Sequence, residues 1–213
     1  MRIISVNVGL PRGLEWRDET VETGIVKEPV EGPVRVARLN LEGDRQADLT
    51  VHGGVDKAVY VYPSEHYAFW RQELPGVDLP WGFFGENVTS EGLFEGDVHI
   101  GDRIEAGSAR FTVTQPRMPC FKLAFRFRRL DMPKRLLKSG RTGFYVSVQQ
   151  EGAIEAGEAI TLIAAPEATI TVADISSLYV GNPDQDLLRR ASELTALPES
   201  WRDYFRGKLR AGF

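Results

Sequence analysis

Two polar clusters contain side chains whose types and spacing suit chemistry. The first covers Gly43–Asp48 and His52–Tyr60, where charged groups and an imidazole surround the Gly53–Gly54 pair. Glycines let backbone approach a ligand closely, and histidine exchanges protons near neutral pH. The pattern is typical of a ligand-binding loop, but a polar turn between two strands fits it as well.

The second cluster surrounds Cys120, the only cysteine in the chain. Arg117 precedes it by three residues and Lys122 follows it by two. Nearby cations favour the thiolate, which is the form that acts as nucleophile or metal ligand. Pro116 and Pro119 predict that Cys120 lies on a bent loop at a strand end. A chemically used sulfur and an inert buried cysteine are both compatible with this pattern.

Other motifs are less specific. The three histidines lack the spacing of a zinc site. We predict that His66 is structural and that His99 faces solvent, so only His52 has functional surroundings. The segment Phe84–Thr89 contains Glu86 and Asn87, which can present polar groups to a ligand. The first cluster also lacks the Gly-Lys-Ser/Thr ending of a phosphate-binding P-loop.

Composition excludes several classes of protein. The chain has 213 residues, 26 basic and 30 acidic side chains and a net charge of −4, and 42% of it is hydrophobic. These values predict a globular protein with a sizeable core. A single cysteine excludes an intramolecular disulfide, and no secretory signal or membrane-spanning run is visible, so we expect a cytoplasmic location.

Basic residues are concentrated in 117–141, which carries nine Lys/Arg and one Asp. This segment predicts a local anion site. Phe121, Phe125 and Phe127 lie among its cations, which is also the composition of a nucleic-acid-binding surface. The acidic chain as a whole argues against stable nucleic-acid binding.

Alternation of apolar and polar residues predicts a mainly β (α+β) fold over the first three quarters of the chain. Two helices interrupt it, at Ser64–Leu74 and at Asp131–Lys138, the second with Asp131 as cap and Gly140 as stop. A hairpin is predicted over Val98–Thr114, with its turn at Ala106–Gly107. The other predicted strands are Ile3–Val8, Val34–Leu39, Ala58–Tyr62, Gly143–Val148 and Ala159–Ile163.

The pattern changes after Pro166. Three short helices are predicted at Val172–Val180, Gln185–Leu194 and Trp201–Leu209, capped by Thr171 with Asp174, by Asp184 and by Ser200. The sequence therefore predicts two domains, 1–167 and 168–213. About 45 residues hardly sustain a core alone, so we expect the helices to dock on the β-rich body or on another subunit, and a homodimer is one arrangement that this allows.

Five motifs in this order resemble the MOSC domain superfamily, and in particular its bacterial YiiM branch. The first four are Leu41–Asp48, His52–Tyr60, Gly85–Thr89 and Gly101–Asp102, and the fifth is Gln115–Leu123, which contains Cys120. The resemblance covers about residues 1–165. The remaining residues resemble the three-helix domain that accompanies YiiM proteins. Met118 stands where small or proline residues also fit the pattern, which bears on the pocket wall and substrate choice.

The resemblance implies a β-barrel-like core and binding of the molybdenum cofactor, with Cys120 as the molybdenum ligand. It also implies reduction of N-hydroxylated compounds such as 6-N-hydroxylaminopurine, with electrons from a separate flavoprotein reductase. In this interpretation Cys120, His52 and Lys27 are catalytic: His52 relays a proton and Lys27 orients the hydroxyl. The predicted cofactor-binding residues are Arg45, Gln46, Asp48, Gly53, Gly54, Asp56, Lys57, Asn87, Gln115 and Arg117.

Two alternative functions stay open at this point. MOSC domains have also been proposed to carry sulfur as a persulfide on the motif cysteine, which would use Cys120 without molybdenum. A non-catalytic nucleic-acid-binding module that uses residues 117–141 ranks last, because it leaves His52, Lys27 and the Gly53–Gly54 pair unexplained.

Overall fold

The computed structural model describes residues 1–47, 53–166, 169–181 and 184–211. The strands are β1 Arg2–Val8, β2 Arg12–Trp16, β3 Glu19–Thr23, β4 Glu28–Val30, β5 Val34–Ala37, β6 Asn40–Leu41, β7 Val59–Pro63, β8 Val88–Glu91, β9 Arg103–Ala106, β10 Ala109–Pro116, β11 Phe144–Gln150, β12 Gly152–Ile154 and β13 Ile160–Ile163. The helices are α1 Glu65–Glu73, α2 Phe121–Phe127, α3 Met132–Ser139, α4 Val172–Val180, α5 Gln185–Glu193 and α6 Glu199–Arg210, and a single 3-10 turn covers Val55–Lys57.

The main sheet has eight strands in the order β13-β9-β10-β11-β7-β8-β1-β4. Its two sides approach each other, because a bridge joins Arg2 of β1 to Ala159 just before β13. Two backbone hydrogen bonds, Ile3 N to Glu158 O and Ile160 N to Met1 O, extend this contact. The sheet therefore curls towards a barrel without a continuous ladder between β1 and β13 in the described residues. The predicted mainly β (α+β) class is confirmed.

Two smaller sheets flank the main one: β12-β5-β6 and the hairpin β2-β3. The hairpin was not predicted, and its turn explains why. Arg17 and Asp18 both have positive φ, at 55° and 61°, as the two central residues of a tight hairpin turn require. Asn-Gly or Asp-Gly is the usual sequence signal for such a turn, and this hairpin lacks it.

The hydrophobic core consists of two clusters of buried side chains. The larger one fills the inside of the curled sheet and continues into the carboxy-terminal helices, where Val172, Leu188 and Phe205 are buried. The smaller one is rich in aromatic rings and packs α1, α2 and α3 against β7, with Trp70 and Phe84 among its members. Because the carboxy-terminal helices share the larger cluster, they pack on the β-rich body. The predicted boundary at 167/168 falls outside the described residues and stays a prediction.

All five predicted helices begin and end within two residues of the observed ones. The capping box of Thr171 and Asp174 is present, Asp184 caps α5, and Gly140 ends α3 with a positive φ. Ser200 is not a cap, because α6 already begins at Glu199, with Pro198 before it.

Several further segments differ from the prediction, and among them are the strands β4, β6, β8 and β12, which were not predicted. The first arm of the predicted hairpin is shorter: it starts at Arg103, and the preceding Val98–Asp102 forms turns around Gly101, whose φ is 95°. The hairpin turn lies at Gly107–Ser108, one residue later than predicted. Helix α2 was not predicted, since only seven residues form it and Arg128 ends it in a left-handed conformation that a glycine signal usually marks.

Candidate functional site

A pocket with an empty volume of about 640 Å³, partly open to solvent, lies beside Cys120. Seven of the thirteen predicted site residues line it: Lys27, Gln46, Gly53, Lys57, Asn87, Arg117 and Cys120. Two more, Asp48 and His52, lie outside the described residues. The clusters that the sequence singles out therefore meet in one cavity.

We call one group of residues the lysine wall: it contains Lys27 and Asn87, which line the pocket, and Asp44, which is bonded to both. Lys27 immediately precedes β4, and its ammonium group forms an ion pair with Asp44. The same carboxylate accepts hydrogen bonds from Asn87 Nδ2 at 2.9 Å and from the Gly9 backbone N–H at 3.0 Å. Asn87 is held in turn, because its Oδ1 accepts from the Tyr60 N–H at 3.1 Å. Within the lysine wall, the charges of Lys27 and Asp44 therefore compensate each other.

Burial affects the protonation of Lys27. Lys27 is 7% exposed and Asp44 is 2% exposed. Burial lowers the pKa of Lys27 below its usual value, while Asp44 and the nearby Glu86 act in the opposite direction. Asp44 occupies one of the three ammonium protons of Lys27, which leaves the others for a ligand. The buried ammonium is thus a better proton donor than an ordinary lysine.

A second group, here called the arginine wall, contains three residues of the pocket lining: Arg117, Tyr145 and Cys120. Arg117 follows β10, is 5% exposed, and its guanidinium carbon lies 5.5 Å from the centre of the Tyr60 ring. Tyr145 lines the same cavity and interacts electrostatically with the guanidinium group. Its Nη1 atom is buried without a hydrogen-bond partner in the described part of the chain. A buried, unsatisfied cationic donor is costly, and a ligand that accepts from it removes this cost.

Arg117 remains charged despite its burial. Burial works against the cation, but Tyr60, Tyr145 and Cys120 together raise the pKa of Arg117 above its ordinary value. No carboxylate lies within 4.0 Å of Arg117 among residues 1–47, 53–166, 169–181 and 184–211, in contrast to Lys27. Lys57 and Lys122 line the same cavity. The pocket therefore offers positive charge to an anion.

Cys120 lies at the junction between the strand end and a helix. Its extended backbone, with φ −114° and ψ 173°, immediately precedes α2, and the side chain is half-buried at the pocket surface. This is the bent loop at a strand end that the flanking prolines predict. Within the described residues no group of three or more His, Cys, Asp and Glu side chains is arranged to hold a metal ion, so a metal bound by Cys120 would need its other ligands from a cofactor or solvent.

Glu86 is fully buried and acts electrostatically on Lys27 of the lysine wall. Its Oε1 accepts hydrogen bonds from Tyr67 Oη, from the Gly82 N–H and from Thr89 Oγ1. Its Oε2 has no partner in the described residues. Burial raises the pKa of Glu86 above its usual value of 4.5, against the effect of these hydrogen bonds. The Gly85–Thr89 motif thus supplies a buried carboxyl group as well as the pocket-lining Asn87.

Two glycines allow the loops around the pocket to approach each other. Gly24 lies so close to the next loop that a Cβ would come within 2.2 Å of the Arg45 carbonyl oxygen. Gly53 has a φ of 93°, and a Cβ there would meet the Gln46 side chain at 3.2 Å. Only glycine fits both positions without displacing the loops that carry Gln46 and Lys57.

Four predicted site residues do not line the pocket: Arg45, Gly54, Asp56 and Gln115. Arg45 is exposed, and its backbone N–H donates to the Gly9 carbonyl. Gly54 precedes the 3-10 turn, and the Asp56 carbonyl accepts hydrogen bonds inside the protein. Gln115 is buried and bonded to Trp201 of α6. Their predicted cofactor contacts stay predictions.

Sequence reasoning missed several groups that complete the site. Asp44 lies within a quoted motif, but its partner Lys27 is 17 positions away, and spacing alone does not reveal such a pair. Tyr60 and Tyr145 read as ordinary strand residues of β7 and β11. Their alignment is visible only in the sheet, where the two are directly opposite each other.

The remaining histidines have structural surroundings. His66 is buried and its Nε2 lies 2.8 Å from Glu95 Oε2. His99 is half-buried with Nδ1 3.5 Å from Asp102 Oδ2, so it is less exposed than predicted.

In the basic segment, Phe127 is buried and Phe125 packs edge-on against Trp16, which leaves Phe121 as the exposed ring of the three. No helix in the described residues has the length and apolar character needed to cross a membrane.

Comparison with known proteins agrees with this architecture. Residues 48–161 match the family model "MOSC domain", and residues 170–212 match the model "YiiM-like, 3-alpha helix domain". The protein YflK of Bacillus subtilis (strain 168) is 42% identical over 97% of this chain and 93% of its own length. Protein YiiM of Escherichia coli (strain K12) is 35% identical over 84% of this chain and 81% of its own.

Solved structures and a fungal relative extend the comparison. The crystal structure of YiiM from Geobacillus stearothermophilus aligns with a TM-score of 0.81 and 37% identity over 98% of both chains. That of YiiM from Escherichia coli aligns with a TM-score of 0.78 and 28% identity over 100% of this chain and 94% of the other. A protein named "Reductase" from Gibberella moniliformis is 31% identical over 90% of this chain, which is 34% of its own length.

Proposed function

Because the chain belongs to the MOSC-domain proteins of the YiiM family, we propose that it binds the molybdenum cofactor in the Cys120 pocket and reduces N-hydroxylated compounds. Compounds such as 6-N-hydroxylaminopurine are the substrate class, and a flavoprotein reductase is the electron donor. The fungal relative named "Reductase" supports the reaction class. The observation that carries the proposal is the buried Nη1 of Arg117, which has no hydrogen-bond partner in the described residues, on a residue that lines the same pocket as Cys120.

The residues of the pocket fit the cofactor. A cysteine thiolate is a suitable soft ligand for a transition metal that already has sulfur ligands. The phosphate of the pyranopterin needs hydrogen-bond donors with positive charge, and Arg117, Lys57 and Lys122 line the cavity. Cys120 would hold the metal, and these three cations would hold the anionic groups.

The proposed reaction cleaves an N–O bond. Two electrons and two protons are consumed: one proton joins the hydroxyl, which leaves as water, and the other joins the nitrogen, which becomes the amine. The bound cofactor supplies the electron pair. The residues of this chain bind and orient the substrate and deliver protons.

Lys27 suits the orienting role in this reaction. Asp44 fixes the ammonium group at the pocket surface, and burial lowers its pKa, so the remaining N–H groups are strong donors to a hydroxyl oxygen. His52 is the proposed proton relay, since its imidazole titrates near neutral pH. It lies outside the described residues, and its role rests on the motif His52–Tyr60.

Metal analysis tests the cofactor part of the proposal. Wild-type and Cys120→Ala proteins, purified from a host that makes the cofactor, are compared for molybdenum by elemental analysis and for pterin by fluorescence. We expect both in the wild type and loss of metal in the variant. Ser177→Ala, in α4 and outside the pocket lining, is the control and should retain both. Absence of both from the wild type, even after cofactor is supplied in vitro, would contradict the proposal.

Turnover tests the reductase part. His52→Ala should lower the reduction rate of 6-N-hydroxylaminopurine far more than it lowers the molybdenum content, because the residue acts on protons. Unchanged turnover would remove His52 from the mechanism. A persulfide mass on Cys120 in protein without molybdenum would instead support the sulfur-carrier function.

A further inference from the structure

Gln115 connects two parts of the molecule that are far apart in sequence. It lies in β10, is 4% exposed, and its Oε1 accepts a hydrogen bond of 2.6 Å from Trp201 Nε1 of α6. Its Nε2 donates to the Asp56 carbonyl at 3.1 Å. The amide orientation is fixed by these partners, because a flipped amide would place its NH₂ against the indole N–H and its oxygen against a carbonyl.

A second hydrogen bond reaches the same carbonyl. The Thr114 hydroxyl lies 2.6 Å from the Asp56 oxygen and 3.0 Å from the Tyr145 carbonyl. The pairing of β10 with β11 is irregular between Val113 and Gln115. At such a bulge, successive side chains can be redirected, and here Thr114 and Gln115 both reach Asp56. Two neighbouring residues of β10 therefore form hydrogen bonds with the same backbone carbonyl, that of Asp56.

Asp56 is the middle residue of the 3-10 turn Val55–Lys57. Gly53, three residues before it, and Lys57, the next residue, line the pocket. A single turn of this kind has one internal backbone hydrogen bond, from the Lys57 N–H to the Gly54 carbonyl at 3.1 Å, and short 3-10 turns are weak by themselves. The position of this part of the pocket wall therefore depends on contacts from outside the loop.

We propose that Trp201 and Gln115 are positioning residues, which hold loop 53–57 in the pocket wall from the carboxy-terminal helix α6. Helix α6 then helps to position the pocket wall, and Gln115 acts through the Asp56 backbone instead of through a ligand. The inference goes beyond the proposed function and does not depend on which ligand the pocket binds.

Amide hydrogen exchange in the cofactor-free protein, followed by mass spectrometry, tests directly whether Trp201 and Gln115 position loop 53–57. Trp201→Phe retains the aromatic packing of Trp201 with Tyr179 and Phe205 and removes the N–H donor. We expect the peptide containing Val55–Lys57 to exchange about 5-fold faster, which is the change that loss of one buried hydrogen bond implies. The peptide covering β1 serves as the reference for global unfolding and should change less than the loop.

A matched control separates positioning from general destabilisation. Trp70 Nε1 also donates to one buried side chain, Tyr62 Oη at 2.8 Å, in the aromatic cluster of α1. Trp70→Phe therefore removes the same kind of hydrogen bond at a residue that does not line the pocket, and the loop peptide should keep its wild-type exchange relative to β1. If both Trp variants accelerate the loop equally, the role of Trp201 is only structural and the proposal fails.

A double-mutant cycle tests whether the two residues act as a unit. Gln115→Met keeps the approximate volume and removes both hydrogen bonds of the amide. Because Trp201 acts through Gln115, the double variant with Trp201→Phe should exchange no faster in the loop than Gln115→Met alone. If the two substitutions accelerate exchange in the loop independently and additively, the proposal is overturned. Unchanged loop exchange in Gln115→Met would overturn it as well.

Discussion

The two walls of the pocket each contain a buried cation, and the two cations have opposite surroundings. On the lysine wall, Lys27 is paired with Asp44, which is itself held by Asn87. On the arginine wall, Arg117 has aromatic neighbours, a buried Nη1 without a partner in the described residues, and no carboxylate at ion-pair distance there. The same kind of charge is thus compensated within the protein on one wall and available to a ligand on the other.

This difference separates stability from binding. Removing one member of a buried ion pair leaves an uncompensated charge, which is strongly destabilising. Removing a buried cation that lacks a counter-charge relieves a desolvation cost and weakens mainly the ligand complex. We therefore expect substitutions on the lysine wall to affect folding most and substitutions on the arginine wall to affect cofactor binding most.

The largest effect on stability is expected for Asp44→Ala. It strands the Lys27 ammonium in the interior and removes the acceptor for the Gly9 N–H and Asn87 Nδ2. The free energy of unfolding should fall by about 3–5 kcal/mol, measured by urea denaturation. The double variant Lys27→Met with Asp44→Leu removes both charges and should lose less than Asp44→Ala alone. A greater loss in the double variant would contradict the paired-charge account.

The pH dependence of stability should report on Glu86, behind the lysine wall. Its pKa in the folded protein is raised by burial above the usual 4.5. Between pH 4.5 and that raised value the unfolded chain binds fewer protons than the folded one, so the free energy of unfolding falls as pH rises. Urea denaturation across this window measures the slope. Glu86→Gln cannot ionise and should flatten it, and an equally steep slope in the variant would assign the effect to other groups.

Arg117→Met should have a small effect on stability and a large one on binding. The variant loses the contact with the Tyr60 ring but also removes a buried charge, and the two effects oppose each other. We expect a change within about 1 kcal/mol in the free energy of unfolding, together with loss of molybdenum and pterin from the purified protein. Destabilisation as large as that of Asp44→Ala would contradict the expectation that the lysine wall mainly stabilises the fold and the arginine wall mainly binds the cofactor.

The smallest effect is expected at an exposed ion pair. Arg2 and Glu91 form a salt bridge at 2.8 Å, but their side chains are 57% and 46% exposed. Solvent screens such pairs, so Arg2→Gln should change the free energy of unfolding by less than about 0.5 kcal/mol. It is the reference for the lysine wall: a larger loss here would show that burial is not what makes the Lys27–Asp44 pair important.

The sequence predicted the fold class and much of the pocket because both have local signals. Alternation marked most strands, and capping residues such as Thr171 and Asp184 marked the carboxy-terminal helices. The Gly53–Gly54 pair and the Cys120 motif identified segments that meet at the pocket. The hairpin β2-β3 gave no signal, because its turn is made by Arg17 and Asp18 with positive φ.

What the sequence did not reveal is mostly long-range pairing. The partners Lys27 and Asp44, Tyr60 and Tyr145, and Trp201 and Gln115 are brought together by sheet register and helix docking. Gln115 illustrates the limit best. The resemblance implies a cofactor contact for it, which stays a prediction, and its side chain is hydrogen-bonded to Trp201 and to the Asp56 carbonyl. A motif identifies a segment, and only the packing of that segment shows which side chains face the cavity.

The coordination of molybdenum by Cys120 is the central claim, and X-ray absorption at the molybdenum edge tests it most directly. Wild-type protein and Cys120→Ser are loaded with the cofactor and compared. We predict a thiolate sulfur in addition to the dithiolene sulfurs in the wild type, and an oxygen in its place in the variant. Identical sulfur coordination in the two proteins would contradict the account.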